Sequence, residues 1–261
     1  MKRTILFSAM LCAIAATTPS ARSVTAGLPS SCVGCSFAGR NLRGSDLGGV
    51  AYVGADFKGA DLENADVRGA KLVGADFQDA DLRNANFSDA RMAGANLRGA
   101  RIAGARFAGA ELAGVDVRGV ADGASDADLR GLLQRCVGCD LADSQLSGRD
   151  LSGIGIVGGN LRNVKASGTS FAHADVRGAN FAGADLRNAN FESARLCGTN
   201  VDADDGDHRI ECASLRDADV RGANFRGALL CGPRDSDPCT PVDAATLRAH
   251  ARSPLDGAIL P

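Results

Sequence analysis

The stretch Ala80-Asp81-Leu82-Arg83-Asn84-Ala85-Asn86-Phe87 contains two copies of the pattern that decides the fold. In each copy a large apolar residue follows Ala by two positions, and the large residue returns at every fifth position. The series runs through Phe37, Leu42, Leu47, Tyr52, Phe57, Leu62, Val67, Leu72, Phe77, Leu82, Phe87, Met92, Leu97, Ile102, Phe107, Leu112 and Val117. Ala stands two residues before each of these from Ala55 to Ala110, and the residue between them is often Asp or Asn.

A period of five suits neither a helix, whose faces repeat about every 3.6 residues, nor a flat strand, whose faces repeat at every second residue. It is satisfied if the chain turns a corner at each repeat, so that the large residue and Ala point inward each time. Asp or Asn and the two residues after the large one then face water. Frequent Gly near the corner favours backbone conformations that other residues resist. The sequence therefore predicts a solenoid with a filled interior.

The run from Ala55 to Gly119 resembles the pentapeptide-repeat proteins. This resemblance implies an all-β fold, a right-handed quadrilateral β-helix with four pentapeptides per coil. Residues 20 apart would then stack, which places Phe37, Phe57 and Phe77 in one column. Each coil would bury its apolar residues only against its neighbours.

The repeat is interrupted once in the middle of the chain. The series restarts at Leu141 and continues to Val201, and the interval from Val117 to Leu141 is not a multiple of five. Within residues 120–136, Asp126 followed by Leu129, Leu132 and Leu133 predicts a short capped helix. We expect a helix between two solenoid blocks, and the alternative is an outward loop on one continuous solenoid.

The predicted organisation has six parts along the chain. A weak helix is expected near Asp243–Ala251 in the last part, which begins with a Pro-rich stretch. The parts are a signal peptide (1–26), a first repeat block (27–119), a helical insert (120–136), a second block (137–203), an acidic insert with a short third block (204–232) and a C-terminal tail (233–261).

The N-terminus has the features of a secretory signal peptide. Lys2 and Arg3 precede an apolar run from Ile5 to Ala16, and small residues before Ala26 offer a cleavage site. The alternative is an uncleaved anchor, although the run is short of the roughly 20 residues that a spanning helix needs. Cleavage would change the formal charge from −2 to −5, because three basic and no acidic residues are removed. We predict a periplasmic or secreted protein without a transmembrane segment after cleavage, and this charge does not favour nucleic-acid binding.

Eight cysteines follow the predicted signal peptide, an even number that favours disulfides in an exported chain. Cys32 and Cys35 fall on inward positions at the start of the first block, and Cys136 and Cys139 repeat this spacing in the second. We expect a structural disulfide within each pair, with a metal site, redox activity or free thiols as alternatives. We also expect Cys197 to bond Cys212 across the acidic insert, and Cys231 to bond Cys239.

The acidic insert is the candidate metal site. Its carboxylates, with a Gly turn among them, suit Ca²⁺, which takes six to eight oxygen ligands. The candidate ligands are Asp202, Asp204, Asp205 and Asp207. A solvated acidic loop is the alternative, since the spacing is not that of an EF-hand.

Catalysis has little support in the sequence. The three histidines, His173, His208 and His250, lie in different regions, and most carboxylates fall on outward repeat positions. We therefore predict a non-enzymatic structural or protein-interaction scaffold without catalytic residues or a cofactor, whose partner is a protein. A Ca²⁺-dependent envelope-binding module is one alternative. The resemblance also implies a DNA-mimicking topoisomerase-binding protein as an alternative. The basic side chains of Lys58, Arg98 and Arg118 would, however, neutralise the acidic column beside them.

Overall fold

A computed structural model of the chain describes residues 28–120, 123–201, 208–231, 238–250 and 255–261. The predicted signal peptide and the four candidate Ca²⁺ ligands lie outside these ranges. Neither helix in the described ranges has the length and apolar character needed to cross a membrane.

The chain winds into a four-sided coil, with one repeat on each side. Parallel bridges join residues 20 apart, as in the ladder Asp56, Asp76, Asn96 and Asp116, and the four repeats of one coil belong to four different ladders. We name the sides by the large inward residue of one coil: side A carries Phe77, side B Leu82, side C Phe87 and side D Met92. Within each ladder the amide groups bond to the next coil, for example Phe57 N to the Asp76 carbonyl at 2.7 Å. The predicted four-sided β-helix is thereby confirmed.

Each corner is a tight turn whose residue types explain the repeat. At one corner Ala60 N donates to the Phe57 carbonyl at 3.0 Å, and Gly59 has φ of 59°. This left-handed conformation favours Gly, and Asn64 takes it at the next corner with φ of 59°. The Asp before the large residue is also fixed locally, because Asp56 Oδ1 accepts a hydrogen bond from Lys58 N at 3.0 Å.

The interior is filled by the two inward series. All the large residues from Phe37 to Val117 are buried, and so are those from Leu141 to Leu196. Phe57 stacks on Phe37 and on Phe77 with ring centroids 4.9 Å and 4.8 Å apart. The predicted column of aromatic residues is therefore present.

The predicted helix is α1, Asp126–Leu133, and it lies inside the stack. A parallel backbone bridge joins Asp140 to Asp116, so the ladder of side A continues across this coil. The coil from Val117 to Asp140 is therefore longer than a regular coil. We call it the long coil. Ser125 caps the helix in a capping box with Asp128, and the three predicted leucines are buried. The two repeat blocks thus form one continuous solenoid, with α1 replacing part of the long coil.

Short strands mark the two ends of the solenoid. At the start, β1 (Ser31–Val33) pairs in parallel with β2 (Ala51–Val53). Near the end, β3 (Arg195–Val201), β4 (His208–Cys212), β5 (Leu229–Cys231) and β6 (Cys239–Pro241) form a sheet in the order β4-β3-β5-β6. The β3 and β4 strands are antiparallel and bracket the acidic insert.

The C-terminal tail forms part of the solenoid end. Helix α2 (Ala244–His250) buries Leu247, and the chain then returns to the stack, where Ile259 pairs with Asn224. Phe225 N donates to the Ile259 carbonyl at 2.8 Å. The final residues therefore cover the last coil, which the sequence pattern did not predict.

Candidate functional site

The cysteines lie where the sequence placed them, in four close pairs. Cys136 and Cys139 are buried with Cα atoms 5.4 Å apart, and Cys32 and Cys35 are partly buried with Cα atoms 5.9 Å apart. Cys197 faces Cys212 across the β3–β4 hairpin, and Cys231 faces Cys239 between β5 and β6. All four pairs are disulfide-bonded in the structure. The Cys136–Cys139 pair follows the C-terminal end of α1, so the helix N-terminus that would activate a redox thiol is not beside it.

Charged residues on sides A, B and C form ion-pair ladders. The recurring unit is Asp, a large inward residue and Arg, in which the guanidinium of Arg83 binds the Asp81 carboxylate at 2.6 Å. The side-chain hydrogen bond from Arg83 lowers the pKa of Asp81, and Arg187 does the same for the pKa of Asp185. The hydrogen bond from Arg221 lowers the pKa of Asp219 to about 2. These carboxylates are therefore ionised and paired over a wide pH range.

The side A ladder that bears on DNA mimicry has mixed charge, as the sequence predicted. Lys58 Nζ lies 3.1 Å from the Asp76 carboxylate, and Arg118 pairs with Asp116 and, at 3.7 Å, with Asp140. A continuous acidic surface is thus broken by cations at positions that sequence analysis singled out.

One group of acidic side chains resembles a metal site only in its spacing. The carboxylates of Asp61, Glu63 and Asp81 have oxygens within 4.8 Å of one another. Three arginines neutralise them: Arg43 pairs with Glu63, Arg83 lies 2.8 Å from Glu63, and Arg101 lies 3.2 Å from Asp81. We interpret this group as an ion-pair network.

His173 is the histidine whose side chain the structure describes, and it lies away from any catalytic cluster. His173 occupies a corner position with φ of 58° and lines an open surface groove of ≈ 530 Å³. Asp175 and Arg195 line the same groove, where Arg195 Nη1 lies 3.5 Å from the Asp175 carboxylate. Asp175 is also bound by Arg177 at 2.7 Å, so this carboxylate is occupied as an ion-pair partner.

Side D carries a surface of a different kind, which sequence analysis missed. Residues that directly follow the large inward residue form an apolar column along this side, and we call it the valine stripe. It consists of Val33, Val53, Val73, Ala93, Ala113, Val137 and Val157. Backbone bonds join its coils without a gap, from Gly34 N to the Val53 carbonyl at 2.9 Å through Gly138 N to the Val157 carbonyl at 2.9 Å.

The valine stripe is exposed. Of the five exposed large apolar side chains in the described part of the chain, four belong to it: Val33 at 85%, Val53 at 39%, Val73 at 42% and Val137 at 54%. The equivalent columns on the other sides carry residues such as Lys58, Arg83 and Glu192. An apolar column on an otherwise charged rod is typical of a protein interaction surface.

The valine stripe is bordered by glycine and ends at an ion pair. The residue after each of its members is Gly, from Gly34 to Gly158, so no side chain stands on that border. The next position along the column is Arg177, which is buried and bound to Asp175. The apolar surface therefore has a defined length of seven coils.

Comparison with known proteins accounts for this architecture. The sequence model of the pentapeptide repeats matches eight copies, over residues 53–89, 90–120, 139–181 and 167–201. The chain belongs to the pentapeptide-repeat family. The resemblance drawn from the sequence is thus confirmed, and the coil of a pentapeptide-repeat protein is a right-handed β-helix.

Several solved pentapeptide-repeat structures are similar to this one. HetL, a protein involved in heterocyst differentiation regulation in the cyanobacterium Nostoc, is 28% identical, with 78% of each chain covered and a TM-score of 0.34. A protein of the Arabidopsis thaliana thylakoid lumen is 35% identical over 35% of this chain and 68% of its own, with a TM-score of 0.30. QnrB1, a plasmid-mediated fluoroquinolone resistance protein, is 20% identical over 74% of this chain and 88% of its own, with a TM-score of 0.37.

No curated protein sequence matches the chain. Pentapeptide-repeat proteins are generally non-enzymatic structural or interaction proteins, and they often bind proteins. The family therefore supports the function class predicted from the sequence, while the partner has to be sought on the surface of this chain.

Proposed function

We propose that this chain is an exported pentapeptide-repeat scaffold that binds protein along the valine stripe. The observation that carries the proposal is the exposure of this one apolar column on a rod whose other three sides are patterned with ion pairs. Burying apolar surface is favourable by about 25 cal/mol per Å². A partner that covers the stripe gains this energy without displacing an existing ion pair.

Export is supported by two independent features. Residues 1–26 have the basic, apolar and small-residue regions of a signal peptide. The eight cysteines that follow are all disulfide-bonded in the structure, and disulfides persist in oxidising compartments.

Cell fractionation tests the export. A C-terminally tagged chain is expected in the periplasm or the medium, with an N-terminus at Gly27 by mass spectrometry. Recovery of the uncleaved chain in the cytosol would contradict the proposal.

Site-specific photo-crosslinking in intact cells tests the binding surface. A photoreactive amino acid in place of Val73 is expected to give a discrete protein adduct. The matched control replaces Ser147, which is exposed at the same repeat position on side B, opposite the stripe. Equal crosslinking at the two positions, or none at either, would remove the valine stripe as the interaction surface.

A further inference from the structure

The valine stripe is long, narrow and regular. Its seven members are separated by six coil steps, which at the usual interstrand spacing of about 4.8 Å makes it about 29 Å long. The long coil does not interrupt it, because α1 replaces parts of sides B and C, while Gly114 N still donates to the Val137 carbonyl at 2.8 Å on side D. A surface that covers the whole stripe must present apolar groups with the same spacing over the same length.

A second copy of the chain meets this requirement, because its own stripe has the same step and length. We propose that two copies associate side by side through their valine stripes, antiparallel, about a two-fold axis that passes between their Ala93 residues. This inference rests on the proposed role of the stripe in protein binding and names its partner. A two-fold contact of this kind uses the same surface of both copies.

A two-fold axis at Ala93 overlaps all seven positions of the stripe. Ala93 then faces Ala93 of the second copy, and Val73 faces Ala113. At the ends, Val53 faces Val137, and Val33 faces Val157. Larger side chains therefore meet toward the two ends, and small ones meet near the axis.

The charged column beside the stripe supports the same register. Lys71, Arg91 and Glu111 occupy one ladder on side D, each two residues before a member of the stripe. An antiparallel arrangement brings this ladder opposite itself. The axis at Ala93 places Lys71 opposite Glu111 of the second copy on both sides of the axis, and Arg91 opposite Arg91 at the axis itself, so two contacts join opposite charges and one joins like charges. Lys71 has no ion-pair partner among the described residues, whereas Arg91 lies 3.5 Å from Glu111 of its own chain. A shift by one coil in one direction would bring Lys71 opposite Arg91 twice. A shift in the other direction would bring Lys71 opposite Arg135 twice and Arg91 opposite Glu111 twice, so neither shifted register has more opposite-charge than like-charge contacts.

The glycine border lets the two rods approach closely. Gly54, Gly74 and Gly94 have φ between 63° and 67°, and no atom lies within 4 Å of the position that a Cβ would occupy at any of them. On the other sides this corner position carries larger residues in some coils, such as Asp79 and Asn84. Side D thus offers bare backbone beside the valines.

The contact is narrow, which sets its strength. Interfaces that bury less than about 1,200 Å² in total are typical of weak association. We therefore expect a dimer whose population depends on concentration in the micromolar range or above.

Sedimentation equilibrium of the full exported protein tests the proposal. The wild-type protein is expected to dimerise as its concentration rises, and V73D combined with V137D is expected to weaken the dimer at least tenfold. The control S147D, on side B, is expected to leave the dimer unchanged. Circular dichroism and melting temperature of each variant show that the solenoid is intact. A wild-type protein that stays monomeric up to millimolar concentration would overturn the proposal.

A charge exchange tests the register without altering the apolar surface. K71E alone and E111K alone are each expected to weaken the dimer about fivefold, because each places like charges opposite one another. The double variant is expected to return to within about twofold of the wild-type value. A double variant as weak as the single ones would overturn the antiparallel register.

These experiments separate the inference from the proposed function. If the purified protein is monomeric while Val73 crosslinks to a different protein in cells, the second copy is excluded and the interaction surface stands. If the protein is monomeric and Val73 gives no adduct, both fail. A Val73 adduct with the mass of two copies supports both.

Discussion

The regular coil from Phe77 to Asn96 and the long coil from Val117 to Asp140 solve the same stacking problem in different ways. The first consists of four repeats and bonds to its neighbours through backbone amides and carbonyls on all four sides. The second contains α1, whose own backbone groups are largely used within the helix. Its side chains therefore take over the contacts to the coils on either side.

Two carboxylates of the first turn of α1 show this replacement directly. Asp128 accepts a hydrogen bond from Gly104 N in the preceding coil at 2.9 Å, and Asp126 accepts one from Asp150 N in the following coil at 3.0 Å. Arg130 also donates to the Asp150 carbonyl at 2.8 Å. The comparison teaches that a coil can be exchanged for a helix if side chains supply the lost acceptors.

The largest effect that distinguishes the two coils is expected from their buried leucines. Leu132→Ala in α1 and Leu82→Ala in a regular coil are each expected to lower the free energy of unfolding by about 2–5 kcal/mol. Because α1 provides fewer backbone bonds between coils, we expect only Leu132→Ala to separate the unfolding of residues 37–117 from that of residues 141–196. Hydrogen exchange during denaturant titration measures this, and simultaneous loss of protection on both sides of α1 would contradict it.

A smaller effect is expected from the carboxylate that joins α1 to the preceding coil. Asp128→Ala removes one half of the capping box and the acceptor for Gly104 N, and is expected to cost about 1–2 kcal/mol of unfolding free energy. Asp128→Asn is the matched control, since it keeps one acceptor oxygen and is expected to lose less. Chemical denaturation of both variants compares them, and equal losses would show that the acceptor is unimportant.

Removal of a buried hydroxyl is expected to stabilise the chain. Ser144 and Ser45 are buried at small inward positions, and neither Oγ has a hydrogen-bond partner among the described residues. Ser144→Ala beside the long coil and Ser45→Ala in a regular coil are each expected to raise the free energy of unfolding by about 1 kcal/mol. Thr169→Val is expected to have the opposite effect and lower the free energy of unfolding, because Thr169 Oγ1 donates a hydrogen bond to the Leu146 carbonyl at 2.6 Å. Thermal unfolding separates these cases, and a destabilised Ser144→Ala would indicate a partner for that hydroxyl.

The smallest expected effect is on the free energy of unfolding at acid pH. In regular coils the paired arginine lowers the pKa of Asp81, and that of Asp219 to about 2. Unfolded Asp has a pKa of about 3.9, so the stabilisation is complete above that pH and is lost as the pH falls toward the folded-state pKa. We expect the free energy of unfolding to fall across this window, and Asp81→Asn to make the fall shallower by less than about 1 kcal/mol, as for most surface pairs. Denaturation at a series of pH values measures the slope, and an unchanged slope in Asp81→Asn would contradict the assignment.

Much of the fold could be predicted because one residue pattern carries it. A large residue at every fifth position specifies the inward columns, and the apolar spacing of Leu129, Leu132 and Leu133 specifies α1. The place of α1 inside the stack could not be predicted, since the interval between the two repeat blocks is equally compatible with a loop that leaves the rod. The return of Ile259 to the stack beside Asn224 was also hidden, because no repeat stands between β6 and the C-terminus.

The candidate site was predicted less completely. The pairs Cys32–Cys35 and Cys136–Cys139 followed from their repeat positions, and Cys197–Cys212 followed from its place on either side of the acidic insert. The valine stripe, in contrast, recurs only once per coil and is invisible in a five-residue pattern. It emerges only when the residue after every fourth large residue is compared, from Val33 through Ala113 to Val157. The acidic insert stays a prediction for Ca²⁺, because its carboxylates lie outside the described residues.

The four-sided coil has a consequence for how the length of this chain can change. Insertion or deletion of four repeats adds or removes one layer and leaves every later residue on its own side of the rod. A change of one repeat keeps the inward pattern intact but turns all later residues by a quarter of a revolution, which would move Val137 and Val157 out of line with Val73. The long coil avoids this rotation, because its ladder from Asp116 to Asp140 restores the original side. Selection for an aligned surface would therefore permit the insertion or deletion of whole layers but not of single repeats.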